Sequence, residues 1–259
     1  TAGIMLDVGS ALGVFIGGVS FGFAGFAFAL FATMALALAG PPLVVIPAVM
    51  LVADTLTMPL LWEHRSYLRR DLLREVPPFA PWSPALLVAG VVLGTFLLGR
   101  LSPTVGRLAL ALVVLTFVGF QVARPQGRVS SDTVRGGAWP GAGVAFVGGF
   151  LDGWLSTGGV AIAVYLTWKR FAARLFVAAI LAYFVVTDLV RVISYTAFGY
   201  WSAQTLALYL RVVPIALAGY IGGVALRRFL VPSGAFRAVV LLLLTAYGLA
   251  LIGRTLLGH

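Results

Sequence analysis

From Val8 to Ala53 the chain carries no charged side chain. At about 20 residues per helical crossing, that stretch is long enough to enter a bilayer twice. The whole sequence is of the same kind: 61% of residues are hydrophobic, 10% are charged, and the mean hydropathy is +1.06. Soluble domains carry roughly 25% charged residues. Hydrocarbon offers no partners to backbone N–H and C=O groups, so a spanning chain of this kind satisfies them within helices. The fold class expected is an all-α polytopic membrane protein.

The formal charge of +10 rests almost wholly on arginine. The basic residues cluster between apolar segments, at Arg69-Arg70, Lys169-Arg170 and Arg227-Arg228. Cytoplasmic loops of membrane proteins carry such an excess, so the partner this charge predicts is the lipid bilayer and not nucleic acid. The chain has no cysteine, hence no disulfide and no thiolate metal site. His64 and His259 belong to no ligand-spaced cluster. No cofactor and no metal are expected, and the sequence does not read as an enzyme.

The second half repeats the first. "FIGGVSFGFAG" at Phe15–Gly25 matches "FVGGFLDGWLS" at Phe146–Ser156, and "VADTL" around Asp54 matches "VTDLV" around Asp188. "AGVVLGTFLLGRLSP", ending at Pro103, matches "AGYIGGVALRRFLVP", ending at Pro232. The chain thus divides into a first repeat over 8–123, a cytoplasmic linker over 124–139, and a second repeat over 140–256. Each repeat reads as a glycine-rich segment followed by three apolar helices, near 42–62, 83–100 and 104–123, and near 172–198, 203–226 and 234–256.

Loop charge separates two topologies. If all eight segments crossed, the basic loops 62–80 and 167–174 would face opposite sides. If each glycine-rich segment instead enters and leaves on one side, each repeat crosses three times and the repeats are inverted. Loops 62–80, 124–138, 167–174 and 227–237 then all lie inside, with the charge-free stretches 34–41 and 198–204 outside. Arg100 and Arg107 are the exceptions, on the outer side. "GGVSFGFAGFAF" and "GGFLDGWLSTGGV" become broken or re-entrant helices, a transporter pattern in which substrate sits near the midplane. Glycine would supply the turn; close helix packing through small residues is the other use of the same pattern.

These glycine-rich segments, with "ALLVAGVVLGTFLLGRLSP", "RLFVAAILAYFVVTDLVRVISYTAFGYWS" and "LRVVPIALAGYIGGVALRRFLVPSGAFR", resemble the TauE/SafE sulfite-exporter family of sulfonate permeases, from about Val14 to Arg254. The resemblance implies a secondary transporter of small sulfur-containing anions such as sulfite, taurine, isethionate or sulfoacetate. It implies export, and a bacterial inner membrane as the location. A passive anion channel is the alternative, since pores also use small residues and helix ends. A homodimer is left open.

An anion leaving water needs a replacement for its hydration shell, and helix N-termini offer N–H groups without a fixed counter-charge. The anion is therefore expected between the two breaks, against Gly22 and Gly25 on one side and Ser156, Thr157, Gly158 and Gly159 on the other. The two hydroxyls either donate to it or cap the second half-helix. Trp154 either walls an organic tail or packs. Arg211, before Pro214, either faces the anion path or snorkels outward. Asp54, Asp152, Asp188 and Arg191 are ionisable groups within apolar segments, and so candidates for charge or proton coupling. Asp188 and Arg191, three apart, form a pair on one helix face, and Asp152 either caps the following helix or holds a proton.

Overall fold

The computed structural model describes residues 6–25, 27–37, 40–70, 83–123, 138–168, 173–229 and 234–257. The basic loops lie largely beyond these residues, and the linker almost wholly so. The described residues form ten α-helices: α1 (Val8–Ala24), α2 (Phe28–Leu36), α3 (Pro42–Arg70), α4 (Ser83–Leu98), α5 (Pro103–Ala123), α6 (Ala138–Leu155), α7 (Gly159–Trp168), α8 (Ala173–Ala197), α9 (Ala203–Phe229) and α10 (Gly234–Leu257). Each glycine-rich segment is two short helices, and three further helices follow it. Among the described residues four helices, in α3, α5, α8 and α9, are long and apolar enough to cross a membrane. The chain is a multi-pass membrane protein. α4 spans 16 residues, about 24 Å at 1.5 Å per residue, short of the ~30 Å hydrocarbon core. α3 runs beyond its expected end at 62 because Glu63 and Arg65 continue the helix on an exposed face.

Both broken segments are hairpins. Asp7 caps α1 by accepting from the Ser10 N–H at 2.7 Å, and Ser10, through its hydroxyl first and its N–H second, holds the carboxyl below the usual carboxylate range. Gly25 ends α1 in the left-handed region at φ 77°, where glycine has no Cβ penalty. α2 then folds back along α1: Ser10 Oγ donates to the Ala35 carbonyl at 3.0 Å, and Gly13 and Gly17 lie against Ala35 and against Phe28 and Phe31. α6 and α7 do the same, with Gly148 facing Ile162 and Gly158. α2 is apolar all round except Thr33 and is buried throughout from Leu30 to Leu36, as a helix without a polar face must be.

The remaining glycines in these segments make seams. A Cβ on Gly18 or Gly22 of α1 would overlap the α9 carbonyls of Ala216 or Tyr220, and one on Gly219 or Gly223 of α9 those of Phe15 or Val19. Gly149 and Gly153 of α6 meet Leu87 and Val91 of α4, and Gly90 and Gly94 meet Phe146 and Phe150. Each seam is a Gly-x-x-x-Gly pair set against another, which lets backbones touch where lipid supplies no hydrophobic drive. In each seam the residue numbers rise together, so α1 runs parallel to α9, and α6 to α4. Beyond the seams, further contacts join helices of the two halves of the chain: α3 with α9 and α4 with α8, α2 with α10 and α5 with α7. Glu63 and Arg227 pair at 3.2 Å, which brings the ends of α3 and α9 together, while Gly99 meets the Tyr200 ring at the far end of the bundle.

Candidate functional site

The two hairpin turns meet at one cavity, lined from one side by Phe21, Ala27, Phe28, Ala29 and Leu30 and from the other by Asp152, Ser156, Thr157, Gly159 and Val160. The first turns of α2 and α7 both abut it. No side chain caps α2. At α7, the Gly158 N–H donates to Asp152 Oδ1 at 3.2 Å, so Asp152 has the capping role that the sequence allowed it. The first N–H groups of a helix have no intrahelical acceptor and carry its partial positive charge.

Ser156 holds the position in its hairpin that Gly25 holds in the other, 131 residues earlier. It too is left-handed, at φ 54°, a conformation that costs a non-glycine residue about 1 kcal/mol or more. Its N–H donates to the Asp152 carbonyl at 3.0 Å, the bond that closes a helix at a left-handed glycine, and that of Thr157 reaches back to the Leu151 carbonyl at 3.3 Å. The serine side chain is spent elsewhere: its Oγ accepts from Arg191 Nη1 at 2.8 Å. Ala27, at φ 76°, is the matching strained residue before α2.

Arg191, on α8, reaches this turn with 3% of its side chain exposed. Nη2 donates to Asp188, the i,i+3 pair expected from the sequence, and Nη1 lies 3.7 Å from Asp152 Oδ1. Asp54 of α3 stands within reach of Asp188. The four ionisable groups singled out in the sequence therefore form one cluster at the hairpin turns. Asp152 Oδ2, Asp54 Oδ1, Thr157 Oγ1 and Arg191 Nε are buried without a hydrogen-bond partner. Buried polar groups are seldom left so.

Of the residues expected around an anion, Ser156, Thr157 and Gly159 line the cavity and Gly158 lies in the turn beneath, against the Gly148 carbonyl and the Tyr183 hydroxyl. The hydroxyls do not cap α7, because Ser156 serves Arg191 and Thr157 Oγ1 has no partner. Gly25 closes α1 beside Val177. Gly22 does not reach the cavity: it faces the Tyr220 carbonyl in the α1–α9 seam. Arg211 lies on an exposed face of α9 and lines neither cavity described here. Trp154 packs on Phe150, with ring centroids 5.5 Å apart, and lines a second cavity near the far end of α2. The cavity's cation is instead Arg191, which the sequence offered as a partner for Asp188. The signal for it was an arginine in the midst of an apolar helix.

The family model of the sulfite exporter TauE/SafE matches residues 10–251, a span that takes in both hairpins, both seams and the charge cluster. Neither the curated proteins nor the solved structures give a match.

Proposed function

This chain belongs to the sulfite exporter TauE/SafE family of membrane transporters, and we propose that it carries small sulfur-containing oxyanions, sulfite or a short sulfonate, out across the bacterial inner membrane. The anion is held at mid-depth between the hairpin turns. The observation that carries this reading is the pair of unpartnered donors, Arg191 Nε and Thr157 Oγ1, buried in a cavity that also meets the uncapped start of α2. A guanidinium, a hydroxyl and helix N–H groups are the donors that replace water around an oxyanion.

Arg191 already has two carboxylate neighbours, so it is not a naked charge that would trap its ligand. An anion binds by taking over donors from Asp188, and leaves when the carboxylate takes them back. Transport needs binding strong enough for entry and weak enough for release. An interior-negative potential drives a monovalent anion outward by about 2.3 kcal/mol per 100 mV, which favours export without a coupling ion.

The repeats are read as inverted. Support comes from the two hairpins, the parallel α1–α9 and α4–α6 seams, and the Glu63–Arg227 pair that gathers two basic loops at one end. By the positive-inside tendency that end is cytoplasmic.

The test is efflux from proteoliposomes loaded in turn with sulfite, thiosulfate, taurine, isethionate and sulfoacetate, under an imposed interior-negative potential. At least one should leave saturably, faster than from protein-free vesicles, and Arg191→Gln should abolish that flux. No flux of any member, or full flux in Arg191→Gln, refutes the reading.

A further inference from the structure

We propose that the second cavity, lined by the loop-side ends of α2, α3, α4, α5 and α6, is a second site for the same small oxyanions, built on Arg107 and Thr33 with the exposed Ser102 at its rim. The proposal rests on the transport reading above and extends it from one station to two.

Arg107 is one of the two charges that positive-inside reasoning leaves stranded on the outer side. It lines this cavity, with Thr33, Ser102 and Trp154. Its Nε donates to the Ala37 carbonyl at 2.9 Å, which anchors the guanidinium to the end of the α1–α2 hairpin. Thr33 is the one polar residue of α2, its side chain is 2% exposed, and its hydroxyl has no hydrogen-bond partner. Valine would fill the same volume without burying an unpaired hydroxyl, so the threonine is costly unless something visits it. A cation and two hydroxyls about one small cavity suit an oxyanion.

The two cavities adjoin. Leu30 lines the first, and Thr33, three residues or about 4.5 Å further along α2, lines the second. Across from them Ser156 lines the first and Leu155 the second. Leu30 and Leu155, each 2% exposed, are the apolar step between. An anion released by Arg191 toward the outer face crosses that step and meets Arg107 next.

Sulfite titrated calorimetrically into the purified full-length chain tests this. Wild type should bind at two sites. Arg107→Gln should retain only the Arg191-dependent one, and Arg191→Gln only the other. Thr33→Val, which removes no native hydrogen bond and so should fold, should weaken the outer site about tenfold or more, the usual loss with one hydrogen bond to a charged group. If Arg107→Gln and Thr33→Val bind sulfite as wild type does while Arg191→Gln does not, the second site is refuted and the mid-depth site stands. If only the Arg107 and Thr33 variants lose binding, the outer site stands and the mid-depth reading falls. No binding to wild type overturns both.

Discussion

Arg191→Gln should be far more damaging to folding than Asp188→Asn, although the two residues bond to each other. Among the described residues Arg191 is the cation of the cluster, and its removal leaves Asp152, at 2% exposure, and Asp188, at 16%, facing Asp54 without that counter-charge. Removing one partner of a buried pair typically costs ~3–5 kcal/mol. Asp188→Asn has a different consequence. The guanidinium keeps Asp152 at 3.7 Å and Ser156 Oγ at 2.8 Å, and at an effective dielectric near 20 a pair so spaced attracts by about 4 kcal/mol. The asparagine oxygen still accepts from Nη2. The loss is then that of a charged hydrogen bond weakened to a neutral acceptor, about 1–2 kcal/mol.

Unfolding by SDS titration from mixed micelles measures all four corners of the cycle. Asp188→Asn should cost about a third of what Arg191→Gln costs, and adding Asp188→Asn to Arg191→Gln should regain stability by removing one stranded carboxylate. The coupling should fall in the ~0.5–3 kcal/mol range of contacting residues. Equal costs for the two single variants would mean that Asp152 gives Arg191 no compensation, and the cluster would reduce to an ordinary i,i+3 pair. A neutral Arg191→Gln would remove the charge argument altogether.

Two further outcomes follow from the backbone. Ser156→Gly relieves a left-handed residue at φ 54° and deletes the acceptor for Arg191, so SDS stability should change by less than about 1 kcal/mol while sulfite efflux falls; unchanged efflux would make Ser156 a strained bystander. Gly153→Ala puts a methyl group onto the Val91 carbonyl in the α4–α6 seam and should cost ~1–3 kcal/mol, whereas Gly119→Ala, with nothing within 4 Å, should cost nothing measurable; similar stabilities for both would show that the seam is not tightly packed.

The all-helical architecture was legible because it rests on a property each residue carries alone, the lack of charge over long apolar runs. The site was legible only in part, because glycine has two uses that look alike in sequence. Gly25 bends the chain at φ 77°, while Gly22, three residues earlier, permits contact with Tyr220 some 198 positions away. What distinguishes them is spacing: Gly18 and Gly22, like Gly149 and Gly153, are four apart and face another pair four apart, at Gly219 and Gly223 or at Gly90 and Gly94. That spacing belongs to a seam, and it becomes evidence only when the partner helix is known.

Arginine poses the same difficulty. Arg211 and Arg191 both interrupt apolar helices, and a single sequence cannot say which turns inward. Their neighbours in sequence do help. Asp188, one turn before Arg191, supplies a counter-charge on the same face, and a guanidinium so compensated can stay at depth at 3% exposure. No acid stands within one turn of Arg211, and its side chain lies on the exposed face of α9. On the proposed reading, the compensation that allows Arg191 to be buried is also what an incoming anion would displace. On that reading the carboxylates bear on transport without touching the substrate.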